Sequence, residues 1–297
     1  MLACGGLCLD AAPPPQPRRF DTPDEAAKAL VAAVSSGDRP AVDAIFGPQA
    51  AELLSGDARQ DAIEFAAFGK AVRQYTHLVR KTPDLCTLDI GAQNWPMPIP
   101  LVHRDGAWFF DTTAGKEEVL NRRIGRDELT AIGVCRTFVT AEQEYDSVSR
   151  DGSGFLSYAQ KLKSTKDTKD GLYWPVRSGE APSPFGPLVA EARTEGYVHG
   201  PKTTAATPSF HGYRFKVLTS QGPAAPGGAL DYIINGRMTS GFALVAYPAH
   251  WGDSGVMTFL VGLQGVVYEC NLGPESATLA SAMTQFNPDS EWTPVAP

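Results

Sequence analysis

The chain has 297 residues, 43% hydrophobic and 20% charged, which is enough for two ordinary domains with sizeable cores. Its net charge of −7 is the wrong sign for neutralising phosphates and weighs against nucleic acid as the main partner, while 29 glycines and 24 prolines fit a loop-rich, partly β fold better than a helical bundle. No run approaches the ~20 apolar residues of a membrane span, so the chain as read meets a membrane only through a lipid anchor.

Met1-Leu2-Ala3-Cys4-Gly5-Gly6 reads as the end of a bacterial lipoprotein signal, with Cys4 as the acylated residue. The charged start and the ~7–15 apolar residues that such a signal needs are missing before it, so either the true start lies upstream or the match is chance. Ala11–Arg19 is a Pro-rich, semi-rigid spacer suited to a surface tether. Residues 1–19 are therefore expected to be a tether, and the location periplasmic or cell-envelope. No two of the five cysteines have CxxC spacing. Cys86, Cys135 and Cys270 sit in apolar settings as buried thiols rather than metal ligands.

Thr22-Pro23-Asp24-Glu25 combines a cap, a first-turn proline and a capping-box acid, and it starts a helix with Ala26, Leu30, Val31 and Val34 as its apolar stripe. Ser36-Gly37-Asp38 ends it. A short helix follows from Pro40 to Gly47, a third covers Gln49–Leu54, and a fourth runs from about Asp57 to Tyr75. Strands are expected at His77–Lys81 and Leu85–Ile90, then a hairpin of Met97–His103 with Ala107–Asp111 across Asp105-Gly106. Lys116–Ile124 reads as a helix stopped by Gly125. Asp127 would cap a new one running to about Val148, with Ile132, Cys135, Phe138, Val139 and Tyr145 on one face. Lys163–Pro208 reads as irregular. Four apolar runs then follow, at Phe210–Leu218, Leu230–Ile234, Gly241–Tyr247 and Val256–Asn271, separated by Gly, Asn and Pro turns in the manner of an antiparallel meander. Residues 275–285 read as a short amphipathic helix.

The order of helices, then a curved meander, over residues 20–113 resembles the cone-shaped NTF2-like fold. The helix carrying Ala141–Tyr145, then Gly212–Phe215, Gly241–Pro248, Gly255–Phe259 and Gly265–Tyr268, is similar in order to the globular domain of type IV pilins and pseudopilins. Here the helix is amphipathic and preceded by a whole domain, which implies a pilin-like module rather than a fibre subunit. From about Phe20 to Val295 the chain resembles an uncharacterised bacterial envelope family, domain of unknown function 2950. The residues that carry this likeness include Trp108–Asp111, Asp170–Pro175, Ser183–Leu188, Gln221-Gly222 and Gly227-Gly228. That resemblance implies a secreted or lipid-anchored protein and supplies no activity.

The candidate chemistry is sparse. Trp251–Gly255 contains the GDSG string found around chymotrypsin-type nucleophiles, but no histidine stands upstream in the required context, so it reads as a loop between strands. Asp146–Tyr158 aligns on an EF-hand loop only with Tyr158 where a bidentate Glu belongs. The five histidines are scattered, and no metal or cofactor is expected. Glu142 falls on or beside the apolar face of its helix, where a desolvated carboxylate would shift upward. Lys169, with Tyr173 and Trp174, could form a basic, aromatic contact for a glycan or acidic polymer; the other reading is a solvated loop with its aromatics tucked into the core.

The expectation is an α+β protein with an NTF2-like domain (20–113) and a pilin-like helix-on-sheet domain (114–297). The expected role is a non-enzymatic binding or assembly factor with an envelope protein partner. The alternatives are a cell-wall or sugar-directed hydrolase and a small-ligand binder using the first domain.

Overall fold

A computed structural model describes residues 16–150, 152–194 and 209–296, and the protein is α+β. The described residues fall into two compact units, 16–54 with 61–119 and 55–60 with 120–296.

The first unit starts with α1 (Pro23–Ser36), α2 (Arg39–Phe46), a 3-10 turn at Pro48–Leu53, and α3 (Ala58–Gln74), whose first turn belongs to the other unit. The local chemistry acts as expected. The Thr22 hydroxyl accepts from the Glu25 amide at 3.2 Å, and Gly37 ends α1 in the left-handed conformation. Asp38 caps α2 through the Ala41 amide at 3.0 Å. The sheet follows as β1 (Thr76–Thr82), β2 (Leu85–Ile90), β3 (Trp95–Pro96), β4 (Leu101–Arg104) and β5 (Ala107–Phe110), in the order β1-β2-β4-β5 with β3 on β2, all antiparallel. Asp105 and Gly106 both have positive φ (54° and 75°), as the tight β4–β5 turn requires. The core gathers Leu30, Ile45, Leu88, Leu101 and Phe110, with Phe46 edge-on to Phe110 at 5.7 Å. Trp108 and Phe110 are buried, and Phe65 and Phe68 pack against the same cluster, so side chains fill the interior that a cone would leave open.

One expectation fails between residues 112 and 146. There is no break at Gly125, because α4 runs unbroken from Thr112 to Asp146. Gly125 is not among the positive-φ glycines and keeps helical backbone; a glycine in a helix interior weakens it by only ~1 kcal/mol relative to alanine, too little to stop a helix with a buried face. Asp127 is not a cap but a buried side chain.

The second unit continues with α5 (Gly186–Thr194), β6 (Tyr213–Leu218), β7 (Ser220–Gln221), β8 (Leu230–Asp231), β9 (Ile233–Ile234), β10 (Arg237–Met238), β11 (Ala243–Pro248), β12 (Thr258–Gly262), β13 (Val267–Cys270), α6 (Ser276–Ala282), β14 (Gln285–Phe286) and β15 (Thr293–Pro294). The main sheet is antiparallel in the order β15-β13-β12-β11-β6. Two sequence readings are corrected here. Lys163–Pro208 is not wholly irregular, since it contains α5. The run Leu230–Ile234 does not join the main sheet: β8 pairs with β7, and β9 folds at once onto β10 across Asn235-Gly236, both at positive φ. Between them Tyr232 is drawn into the core, where its hydroxyl donates to Gln221 Oε1 at 3.1 Å.

Every residue of β11 and β12 is buried, which explains why their sequences are continuous apolar runs rather than alternating ones. Ala131, Cys135, Phe138 and Tyr145 of α4 share one core cluster with Tyr213, Leu244, Phe259 and Val261 of the sheet, and α6 packs on β11. Burying this helical stripe, at ~25 cal/mol per Å² of apolar surface, is the main term holding α4 to the sheet.

Candidate functional site

The polar chemistry of the second unit lies along the buried face of α4. Near its C-terminal end Glu142 is fully buried. Its Oε2 accepts the Ala159 amide at 2.8 Å, while Oε1 has no partner among the described residues. Burial pushes this carboxyl up to about 8; the Ala159 amide works against that rise, and Asp146, one turn further along, adds to it. Asp146 and the Tyr158 hydroxyl are themselves raised, first by burial. Tyr158 stands edge-on to Phe242 at 4.8 Å, and Phe138 meets the same ring at 5.6 Å. Glu142 is thus a neutral acid at pH 7, sealed from solvent in an aromatic setting.

Around the end of α4, Arg150 donates to the carbonyls of Tyr145 (3.1 Å) and Glu144 (3.2 Å), satisfying last-turn acceptors. The same guanidinium lies over the Tyr145 and Trp174 rings, and Lys169 Nζ lies 5.4 Å from the Trp174 ring. Lys169 is exposed, but Tyr173 and Trp174 are buried in the core cluster, with Arg193 donating to the Tyr173 hydroxyl at 2.7 Å. The loop before them is organised by Asp170. Burial alone would raise its carboxyl, but the Lys161 ammonium, the Thr168 and Thr165 hydroxyls and the Thr165 amide outweigh that and hold it well below the usual carboxylate range.

A second constellation, which the sequence reading missed, lies toward the other end of the α4 stretch in this unit. Arg123 and Asp127 are both 2% exposed. Asp127 accepts Gln60 Nε2 at 2.8 and 3.0 Å, and Arg123 Nη1 faces Asp253 at 3.4 Å. Glu128 Oε1 accepts the amides of Val256 (2.9 Å) and Met257 (3.0 Å). The loop Trp251–Gly255 is thereby fastened to α4. Within it the Ser254 hydroxyl receives the His250 amide at 3.0 Å and donates to the His250 carbonyl at 3.1 Å. That serine is held by backbone, not by an imidazole. One helical turn at a time, the buried stripe runs from Cys135 back through Ala131 to Asp127 and Arg123, so the signal was two charges on the apolar stripe.

Of the EF-hand-like stretch, Ser149 accepts the Gly154 amide at 3.0 Å, while Asp151 lies outside the described residues. Cys4, Cys8 and His199 also lie outside them. Among the described residues there is no group of three or more His, Cys, Asp or Glu side chains that could hold a metal, no helix is long and apolar enough to cross a membrane, and Cys86, Cys135 and Cys270 are free thiols.

The outer rim of the second unit carries apolar side chains in the open. Phe155 is 65% exposed, Leu156 52% and Ile234 49%. Arg237 pairs with Ile234 across the β9–β10 hairpin and lies over the Phe155 ring at 5.1 Å, and Gln160 donates to the Gly236 carbonyl at 2.8 Å, so hairpin and loop form one rim. The first unit has a depression of about 460 Å³ lined by Phe46, Arg104, Phe109, Phe110 and the start of α4. None of the residues singled out from the sequence for binding lines it.

A family model described as a protein of unknown function (DUF2950) matches residues 17–295. The chain belongs to the DUF2950 family. No curated protein and no solved structure matches it. The family match spans both units, so the two were matched as one sequence pattern rather than as separate modules.

Proposed function

We propose that this DUF2950 protein is a non-enzymatic binding or assembly factor of the bacterial envelope, tethered by acylated Cys4, with an envelope protein as partner. The observation that carries this reading is the contrast within the second unit. The groups with catalytic potential are sealed or occupied, Glu142 by burial and Ser254 by its own backbone bonds, whereas Phe155, Leu156 and Ile234 stand open on one rim beside Arg237. Exposed apolar side chains grouped with an arginine have the composition of a protein interface core. The packing of α4 on an antiparallel sheet supports a pilin-like assembly module.

The test is crosslinking in the envelope fraction with tagged protein expressed from its native upstream sequence. A stoichiometric protein partner, captured by wild type and lost in Phe155→Asp with folding intact, supports the reading. Equal capture by both refutes the rim as the surface. Failure of that protein to take up labelled palmitate refutes the tether. A second reading, small-ligand binding, rests on the 460 Å³ depression with Arg104 at its wall. Loss of ligand-induced stabilisation in Arg104→Ala would favour it. The hydrolase alternative draws no support from Glu142, which no substrate can reach in this conformation.

A further inference from the structure

Glu142 carries more than a core residue needs. An apolar side chain would fill its place without desolvating a carboxyl, yet the fold seals an acid there with one oxygen bonded and the other bare. What seals it is a thin piece of chain. The segment 155–160 contains no helix and no strand, only a bridge in which the Tyr158 amide donates to the Met238 carbonyl at 2.8 Å; Lys161 and Leu162, just after it, are tied down by the Leu172 and Tyr173 amides at 2.9 and 3.0 Å. Its contact with α4 through Ala159 is the bond to Glu142 itself. Phe155 and Leu156, at its start, are already in solvent. Ala159 and the Tyr158 ring pack on the core, but between Phe155 and Gln160 few backbone bonds hold the chain, which marks it as a place for local opening.

The groups facing the acid are few. Asp146 follows on α4, and Tyr158 faces it from the segment with its hydroxyl neutral, its own ionisation being opposed by burial and by both acids. Beyond Tyr158 stands the apolar Phe242, and Met238 supplies only a carbonyl. Among the described residues no lysine or arginine acts on Glu142, so its negative form lacks a counter-charge in the closed state. The single amide of Ala159 favours that form but satisfies only one oxygen. Water reaches the other only if the segment lifts.

We propose that residues 155–160 form a proton-controlled latch, closed on α4 while Glu142 is protonated and released as it ionises. This goes beyond the binding reading and does not depend on it. Opening returns the carboxyl to ordinary acidity, so the opening equilibrium rises about tenfold per pH unit from the free-glutamate range up to the closed-state value and is level above it.

The experiment is hydrogen exchange on the full chain from pH 5 to pH 9, with protection referred to intrinsic rates at each pH. Protection of the Tyr158 and Ala159 amides is expected to fall about tenfold per unit up to about pH 8 and then level, and to lie well below that of β11 and β12 at every pH, because those strands exchange only on global unfolding. In Glu142→Gln it is flat with pH. In Asp146→Asn, which keeps the acid and removes the neighbouring like charge, levelling comes at lower pH; this second variant serves if the first does not fold. Protection independent of pH in wild type, an equal fall in Glu142→Gln, or protection of Tyr158 and Ala159 no weaker than that of β11 and β12 would each overturn the latch.

Discussion

Replacing Glu142 by glutamine changes how stability depends on pH more than it changes stability itself. The folded protein holds this carboxyl at about 8 against an ordinary value of 4.5, first because burial penalises the charge. An acid raised on folding stabilises nothing above its unfolded value; the unfolded chain ionises first, and the folded state loses ground with every further pH unit. The loss begins near pH 4.5, grows by 1.36 kcal/mol per unit, reaches about 3 kcal/mol at pH 7 and levels at about 5 kcal/mol above pH 8. Glutamine cannot ionise, so this contribution disappears. Its carbonyl keeps the Ala159 amide, but its NH₂ enters a site where Oε1 has no partner, costing about 1–2 kcal/mol at every pH. The variant is therefore less stable than wild type at pH 5 and more stable at pH 8, with the curves crossing between. Urea unfolding at pH 5, 6, 7 and 8 measures both, and the difference between the proteins cancels every other titrating group. A difference that stays constant across these four values refutes the assignment of Glu142 as a neutral, desolvated acid.

Three further outcomes test the packing. Gly125→Ala should stabilise by about 0.5–1 kcal/mol in thermal unfolding, because a Cβ there meets nothing within 4 Å and the backbone is helical; destabilisation would mean a real break at this position. Gly255→Ala should destabilise by about 1–3 kcal/mol or more, since the added Cβ would lie 2.2 Å from the Tyr213 hydroxyl, which is held by its bond to the Met257 carbonyl; an unchanged melting temperature refutes that contact. Trp174→Ala should cost about 3–5 kcal/mol in urea unfolding, as for a core aromatic; near-zero loss would favour the alternative reading of Trp174 as a contact surface.

Much of the site was invisible in the sequence for one reason. Glu142 could be placed near the apolar face by period alone, but whether it snorkels or is sealed depends on Ala159 and Tyr158, which arrive from a segment with no periodicity. Tyr173 and Trp174 next to lysines look like a contact surface until Arg150, Arg193 and Tyr145 are seen to close around them. Arg123 and Asp127 carried a readable signal, two charges in register with Cys135, but the glycine between them suggested a helix end and hid the register.

The sequence by itself determined what short-range chemistry can determine. Caps at Thr22 and Asp38, the Asp105-Gly106 turn, the apolar stripe from Cys135 to Tyr145 and the apolar runs at Gly241–Tyr247 and Val256–Asn271, the second broken at Gln264-Gly265, each specify backbone within a few residues, and these hold. Only the tertiary structure decided the rest: that α4 passes through Gly125, that Leu230–Ile234 leaves the main sheet once Tyr232 is anchored, and that Glu142 is sealed while Phe155 is bare. Those outcomes turn on partners more than ten residues away, and the energy of burying a side chain is set by what finally packs against it, not by its neighbours along the chain.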